Sequence, residues 1–154
     1  FYQAKMDKSD LRGANIFRTS FVNASLRKAQ FRGANLSESN FTSADLRDAN
    51  LHEVAAKNAT FSWANLTNAI MRKSDFSSCN FSNTTIVDAN IKKSNLTHVN
   101  AVAADFSGSD MQEVDFAGAD ISGANLKNTD MRGAKNMHRV IGLERAINLD
   151  KSTL

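Results

Sequence analysis

A residue period of five runs through most of this chain and constrains its fold more than any other feature. Stepping by five from Phe1 gives Met6, Leu11, Ile16, Phe21, Leu26, Phe31, Leu36, Phe41, Leu46 and Leu51, and the register continues to Met131. Of these 27 centres, 25 are Phe, Leu, Ile or Met; the exceptions are Ala56 and Ala101. Two residues before each centre, from Ala4 to Thr129, the residue is always Ala, Ser, Thr, Val or Cys. Eighteen of the residues one before a centre are Asn or Asp. Neither the centres nor the small positions carry a charge.

Five matches neither the 3.6-residue turn of a helix nor the two-residue alternation of a long strand. The small residue and the centre are two apart, so a short extended segment points both inward and the intervening residue outward. The next two residues turn a corner. Each pentapeptide becomes one side of a polygonal coil, and stacked coils close a shared core. A second period fixes the number of sides. Phe1, Phe21, Phe41, Phe61 and Phe81 place half of the ten Phe in one column at a spacing of 20, so each coil has four sides. The rings of this core column lie about 4.8 Å apart, one coil rise, and stack. The expected structure is about six to seven coils in a rod about 30 Å long. Where a centre shrinks to Ala56 or Ala101, the small position grows to Val54 or Val99, which keeps the volume of that side.

Segments such as Ala34-Asn35-Leu36, Ala44-Asp45-Leu46, Ala64-Asn65-Leu66 and Ala124-Asn125-Leu126 resemble the A(D/N)LXX signature of the pentapeptide repeat family. The resemblance covers residues 1 to about 135 and implies an all-β, right-handed quadrilateral β-helix. Members of that family occur in cyanobacteria, other bacteria and plant chloroplasts, and most have no known biochemical role. In one branch, the quinolone-resistance proteins, members mimic DNA and bind gyrase.

The chain divides into a repeat region, 1–135, and a tail, 136–154. The register fails at Asn136, and Leu143, Ala146 and Ile147 stand at helical spacing, which predicts a short helix capping the open end of the core. At the other end the repeat starts at Phe1 with no cap. The expectation there is a preceding segment, or an end-to-end pairing such as a homodimer, since an uncapped β-edge invites pairing. No apolar run approaches the roughly 20 residues of a membrane span, and no signal peptide opens the chain. A soluble protein is expected.

Two surfaces stand out. On the side centred at Leu11, Phe31, Leu51, Met71, Ile91, Met111 and Met131, the residue after the centre runs Arg12, Arg32, His52, Arg72, Lys92, Gln112, Arg132, with Lys73 and Lys93 beside it. Stacked like charges repel, so this column is a candidate site for an acidic protein surface or a polyanion, or a solvated corner with Asp10, Asp110 and Asp130 nearby. The side over the Phe column is uncharged apart from Asp120 and presents Tyr2, Val22, Trp63 and Val102, a composition suited to a protein contact. Phe17, the one Phe out of register, is expected at an exposed corner.

Catalysis needs converging groups in a pocket, and an interior packed with Phe and Leu leaves none. His52, His98 and His138 fall on different sides or in the tail, so neither a metal cluster nor a base–nucleophile pair is apparent. Cys79, the single cysteine, sits at a small inward position and reads as core. No catalytic residue, metal or cofactor is expected. The function expected is a rigid interaction module for a protein partner. Polyanion binding along the basic column is the alternative, although that side lacks the aromatics that strengthen nucleic-acid binding. DNA mimicry requires an acidic surface, whereas residues 1–104 carry 13 basic and 8 acidic residues.

Overall fold

Backbone pairing between residues 20 apart organises the whole chain. The computed structural model describes residues 1–149. Parallel bridges join Lys5 to Ser25, Ser25 to Asp45, Asp45 to Asn65 and so on, and the same offset holds on all four sides as far as Asp115 and Lys135. Each side contributes three inter-coil hydrogen bonds. At one such side, Met6 N–H donates to Ser25 O at 2.7 Å, Ser25 N–H to Ala4 O at 2.9 Å and Lys8 N–H to Arg27 O at 2.7 Å.

The corner follows from the same five residues. The centre's carbonyl accepts the N–H of the small residue three positions on, as from Ala24 to Phe21 at 2.9 Å. This closes a turn whose third residue is left-handed, for example Asn23 at φ 58° and Lys28 at φ 59°. The Asn and Asp before each centre cap that turn. Asn40 Oδ1 accepts Thr42 N–H at 2.9 Å and Asp75 Oδ1 accepts Ser77 N–H at 3.0 Å, supplying an acceptor to the one turn N–H that no neighbouring coil reaches. Their amides also link coils, as from Asn35 to Asn15 at 3.1 Å and from Asn95 to Asp75 at 3.1 Å.

Inside, the centres form one continuous core, with Leu26, Phe31, Leu36, Phe41, Leu46 and Phe61 fully buried. Phe21 and Phe41 stack at 4.9 Å between ring centroids, as do Phe41 and Phe61, and Phe61 and Phe81 stack at 5.1 Å. Val54 fills the space beside Ala56, and Val99 beside Ala101; all four are buried. Phe1 stacks on Phe21 at 5.1 Å but stays 64% exposed. It belongs to the column without being sealed in the core, because only one face of the first coil is covered.

Five of the buried hydroxyls at inward positions are satisfied by the coil before them. Ser39 Oγ donates to Ile16 O at 2.7 Å, Thr84 Oγ1 to Phe61 O at 2.7 Å and Ser94 Oγ to Met71 O at 2.7 Å. Two of these hydroxyls on the Leu11 side do more. Ser74 Oγ donates to Leu51 O at 2.7 Å and accepts Val54 N–H at 3.1 Å, replacing the bond that closes other corners. Ser94 Oγ treats the Met71–Ser74 corner the same way, accepting Ser74 N–H at 3.1 Å. Ser9, in the first coil, holds the one buried side-chain oxygen without a partner among the described residues.

The tail departs from expectation. There is no α-helix among the described residues. Residues 136–149 instead continue the winding, with Ile141 bridging Asp120 and Ile147 bridging Asn125. Each of these two sides has six residues rather than five. The extra residue is absorbed by short 3-10 turns at Met137–Arg139 and Leu143–Arg145, which follow left-handed Asn136 and Gly142. The helical spacing of Leu143, Ala146 and Ile147 is therefore misleading: Leu143 and Ala146 pack on the core, while Ile147 is a bridge residue, 50% exposed. Of the tail at 136–154, residues 150–154 lie outside the described residues.

Candidate interaction surfaces

The basic column stands on the Leu11 side, and its charges are unequal once their partners are counted. A bridge residue and the residue two further on both point outward around one corner, so Asp followed two places later by Arg forms a local clamp. Asp10 takes Arg12 Nε at 2.8 Å and Nη2 at 2.6 Å, and Asp130 takes Arg132 at 2.9 and 2.6 Å. The guanidinium holds the Asp10 carboxyl down to about 2, and Asp130 lies further still below the usual carboxylate range, again because of its arginine. Arg32 reaches Glu53 at 3.4 Å, and Lys93 reaches Glu113 at 3.5 Å. Lys92 donates to the Gln112 side-chain oxygen at 2.7 Å. Arg72 and Lys73 form no ion pair among the described residues. Arg72, Lys73, Lys92 and Lys93 together line one shallow surface depression of about 250 Å³.

His52 was expected outward in this column. It is buried instead, because its Nδ1 meets Arg72 O at 2.9 Å and the ring lies down along the coil edge. The column's cations are thus split into a group below His52 and a group above it.

A second charged cluster lies on the adjacent Met6 side, where Asp7, Lys8, Arg27, Lys28, Arg47 and Asp48 line a larger depression of about 560 Å³. Its signal was present in the sequence as Arg27 and Arg47, 20 apart. Here the charges are largely internal. Arg27 donates to Asp7 at 3.0 and 2.7 Å, and Arg47 to Asp45 at 2.9 and 2.6 Å. Hydrogen bonds from Arg27 and Ser25 hold Asp7 down to about 2.

The Phe1 side presents Tyr2 and Trp63 at 63% and 64% exposure, with Val22 and Val102 half-buried. Beneath Trp63 runs the stack of Phe rings. Around it stand short hydroxyl and amide side chains, with Thr42 Oγ1 on Asn40 Oδ1 at 2.6 Å and Ser62 Oγ at 3.4 Å. Trp63 occupies the left-handed turn position at φ 62°, which other corners fill with Gly, Ala103 or polar and charged residues. Phe17 is exposed at its corner as expected, with the Arg18 guanidinium 4.8 Å from the ring.

Among the described residues no three His, Cys, Asp or Glu side chains group as metal ligands would. Cys79 is buried with its Sγ 2.9 Å from Ala56 O, and burial pushes its thiol far above the ordinary range. Among the described residues no helix is long and apolar enough to cross a membrane.

The family model for pentapeptide repeats matches in 8 copies, over residues 1–29, 24–62, 59–98 and 102–135. The chain belongs to the pentapeptide repeat family. Similar solved structures include HetL, a pentapeptide repeat protein involved in heterocyst differentiation regulation from Nostoc sp. strain PCC 7120. It is 19% identical over 86% of this chain and 84% of its own, with a TM-score of 0.40. QnrB1, a plasmid-mediated fluoroquinolone resistance protein, is 16% identical over 94% and 92%, with a TM-score of 0.42. A pentapeptide repeat protein of the Arabidopsis thaliana thylakoid lumen is 25% identical over 85% and 70%, with a TM-score of 0.31. No curated protein sequence matches the chain.

Proposed function

We propose that this protein is a non-enzymatic interaction module that presents the uncharged Phe1 side of its solenoid to a protein partner, with Trp63 as the anchor. The observation that carries this reading is Trp63 itself. It stands at a corner and covers no core, being 64% exposed. Its exposure goes unrewarded within the chain, whereas Trp is enriched among binding hot spots and interface cores are depleted of charge. The ring stack below it makes the side rigid, so little ordering entropy is lost on docking. Nucleic acid running along the whole basic column fits less well, since Arg12, Arg32 and Arg132 already hold carboxylates.

Affinity capture from extract of the source cells tests this, using the unmodified protein, Trp63→Ala and, as a surface control, Lys127→Gln. Proteins retained by the unmodified chain and by Lys127→Gln but lost with Trp63→Ala support the reading. Identical capture by all three overturns it.

A further inference from the structure

Three times in this chain an Asp at the bridge position clamps an Arg two residues later: Asp10 with Arg12, Asp45 with Arg47 and Asp130 with Arg132. Arg72 occupies the same structural position as those arginines, but the residue two before it is Ile70. That side chain is 40% exposed, an apolar group standing where the acid would be. Arg72 is therefore left with its fork unfilled. Lys73 follows it around the corner, and Lys92 and Lys93 repeat the arrangement one coil on, about 4.8 Å away. Four cations and no carboxylate line one depression, with Glu113 beyond its edge 3.5 Å from Lys93. Like charges held at coil spacing repel, and a bound anion relieves that repulsion. The Ser94 hydroxyl fixes the Met71–Ser74 corner that carries Arg72 and Lys73, so these cations stand on a rigid base.

We propose that the depression lined by Arg72, Lys73, Lys92 and Lys93 docks a short acidic peptide segment of a partner protein, whose carboxylates fill the fork that an Asp at position 70 would otherwise occupy. The positive patch is only two coils long. Glu53 bounds it on one side, and Asp110, Glu113 and Asp130 on the other, so an extended polyanion following the column would run into its own charge. No exposed aromatic on this side offers a base a stacking surface, while Ile70 offers a peptide an apolar contact. The guanidinium fork suits a carboxylate bidentately. This site lies on a different side from Trp63 and does not depend on the uncharged side being an interface.

Fluorescence anisotropy with purified protein tests it, using a labelled peptide of six glutamates flanking one leucine and, in a second arm, a labelled thymidine 12-mer. Because no cell extract is involved, the result is separate from that of the capture experiment. The peptide is expected to bind at low salt and to weaken as salt rises. Arg72→Glu with Lys92→Glu should reduce binding at least tenfold. Ile70→Asp should do the same by completing the internal clamp, with the melting temperature unchanged or raised, and Lys127→Gln should leave binding as it was. Absence of peptide binding at low salt, full binding by Ile70→Asp, or an equal loss in Lys127→Gln overturns the proposal. So does a thymidine 12-mer bound tenfold more tightly than the peptide.

Discussion

Removing the Ser74 hydroxyl isolates the feature of this coil that its repeat pattern does not announce. In Ser74→Ala, two buried backbone groups lose their only partner: Leu51 C=O, which accepts Ser74 Oγ at 2.7 Å, and Val54 N–H, which donates to it at 3.1 Å. Leaving a buried polar group unsatisfied costs about 1–3 kcal/mol. Two groups amount to about 2–6 kcal/mol, less whatever the corner recovers by closing as the Phe41 corner does, where Ala44 N–H meets Phe41 O at 3.0 Å. A net loss of about 2–3 kcal/mol lowers the melting temperature of a domain this size by about 4–12 °C. Thr84→Val is the matched control. Thr84 Oγ1 also donates to a buried carbonyl, Phe61 O at 2.7 Å, but that carbonyl keeps the Ala64 N–H at 3.0 Å. Its loss is about 1 kcal/mol or less, or about 2–4 °C. Thermal melts followed by circular dichroism compare the two, and amide exchange at Val54 localises the effect. Equal shifts for both variants, or Ser74→Ala melting with the unmodified protein, would refute the bridging role assigned to the hydroxyl.

Two further outcomes follow from buried and paired groups. Cys79 is enclosed and its thiol is pushed up by burial, so it should resist a thiol reagent in the native protein and react only at the rate of unfolding; rapid labelling without denaturant would contradict its inward placement. In acid, Asp7 and Asp10 sit at about 2 when folded, against about 3.9 for an unfolded chain. Their contribution is present above about pH 4 and is lost as pH falls through about 2. The melting temperature should therefore drop across that window, by less in a variant with both Asp7→Asn and Asp10→Asn. The same drop in both proteins would remove these pairs from the account.

Much of the architecture can be read from spacing, because each pentapeptide meets one environment and a substitution in one position shows in its neighbour. Ala56 with Val54, and Ala101 with Val99, reveal a shared volume before any coordinates do. The Phe column likewise states the coil length. Other features are hidden because they depend on what lies 20 or more residues away or on a change of period. The open corners beneath Arg72 come from serine hydroxyls reaching back 23 residues, and serine at a small position reads the same as alanine. His52 is drawn into the surface by a carbonyl on the next coil. The tail holds a period of six, with Asn136-Met137, Gly142-Leu143 and Asn148-Leu149 in matching places; a register of five passes over it. The difference between Arg12 and Arg72 was open to inspection in the residues two positions before them, Asp10 and Ile70. Only the clamp geometry shows that this difference separates Arg12, held by Asp10, from Arg72.

Every column invoked above requires a coil of 20 residues, and a pair of engineered cysteines measures that directly. Ser25 and Asp45 are bridge partners on adjacent coils and point outward, about 4.8 Å apart and within the span of a disulfide. Ser25 and Asn65 are two coils apart, about 9.6 Å, beyond its reach. With Cys79→Ala as background, mild oxidation should cross-link Ser25→Cys with Asp45→Cys within one chain and leave Ser25→Cys with Asn65→Cys reduced. Efficient cross-linking of the second pair, or failure of the first in a folded protein, would contradict the 20-residue coil and every surface built on it.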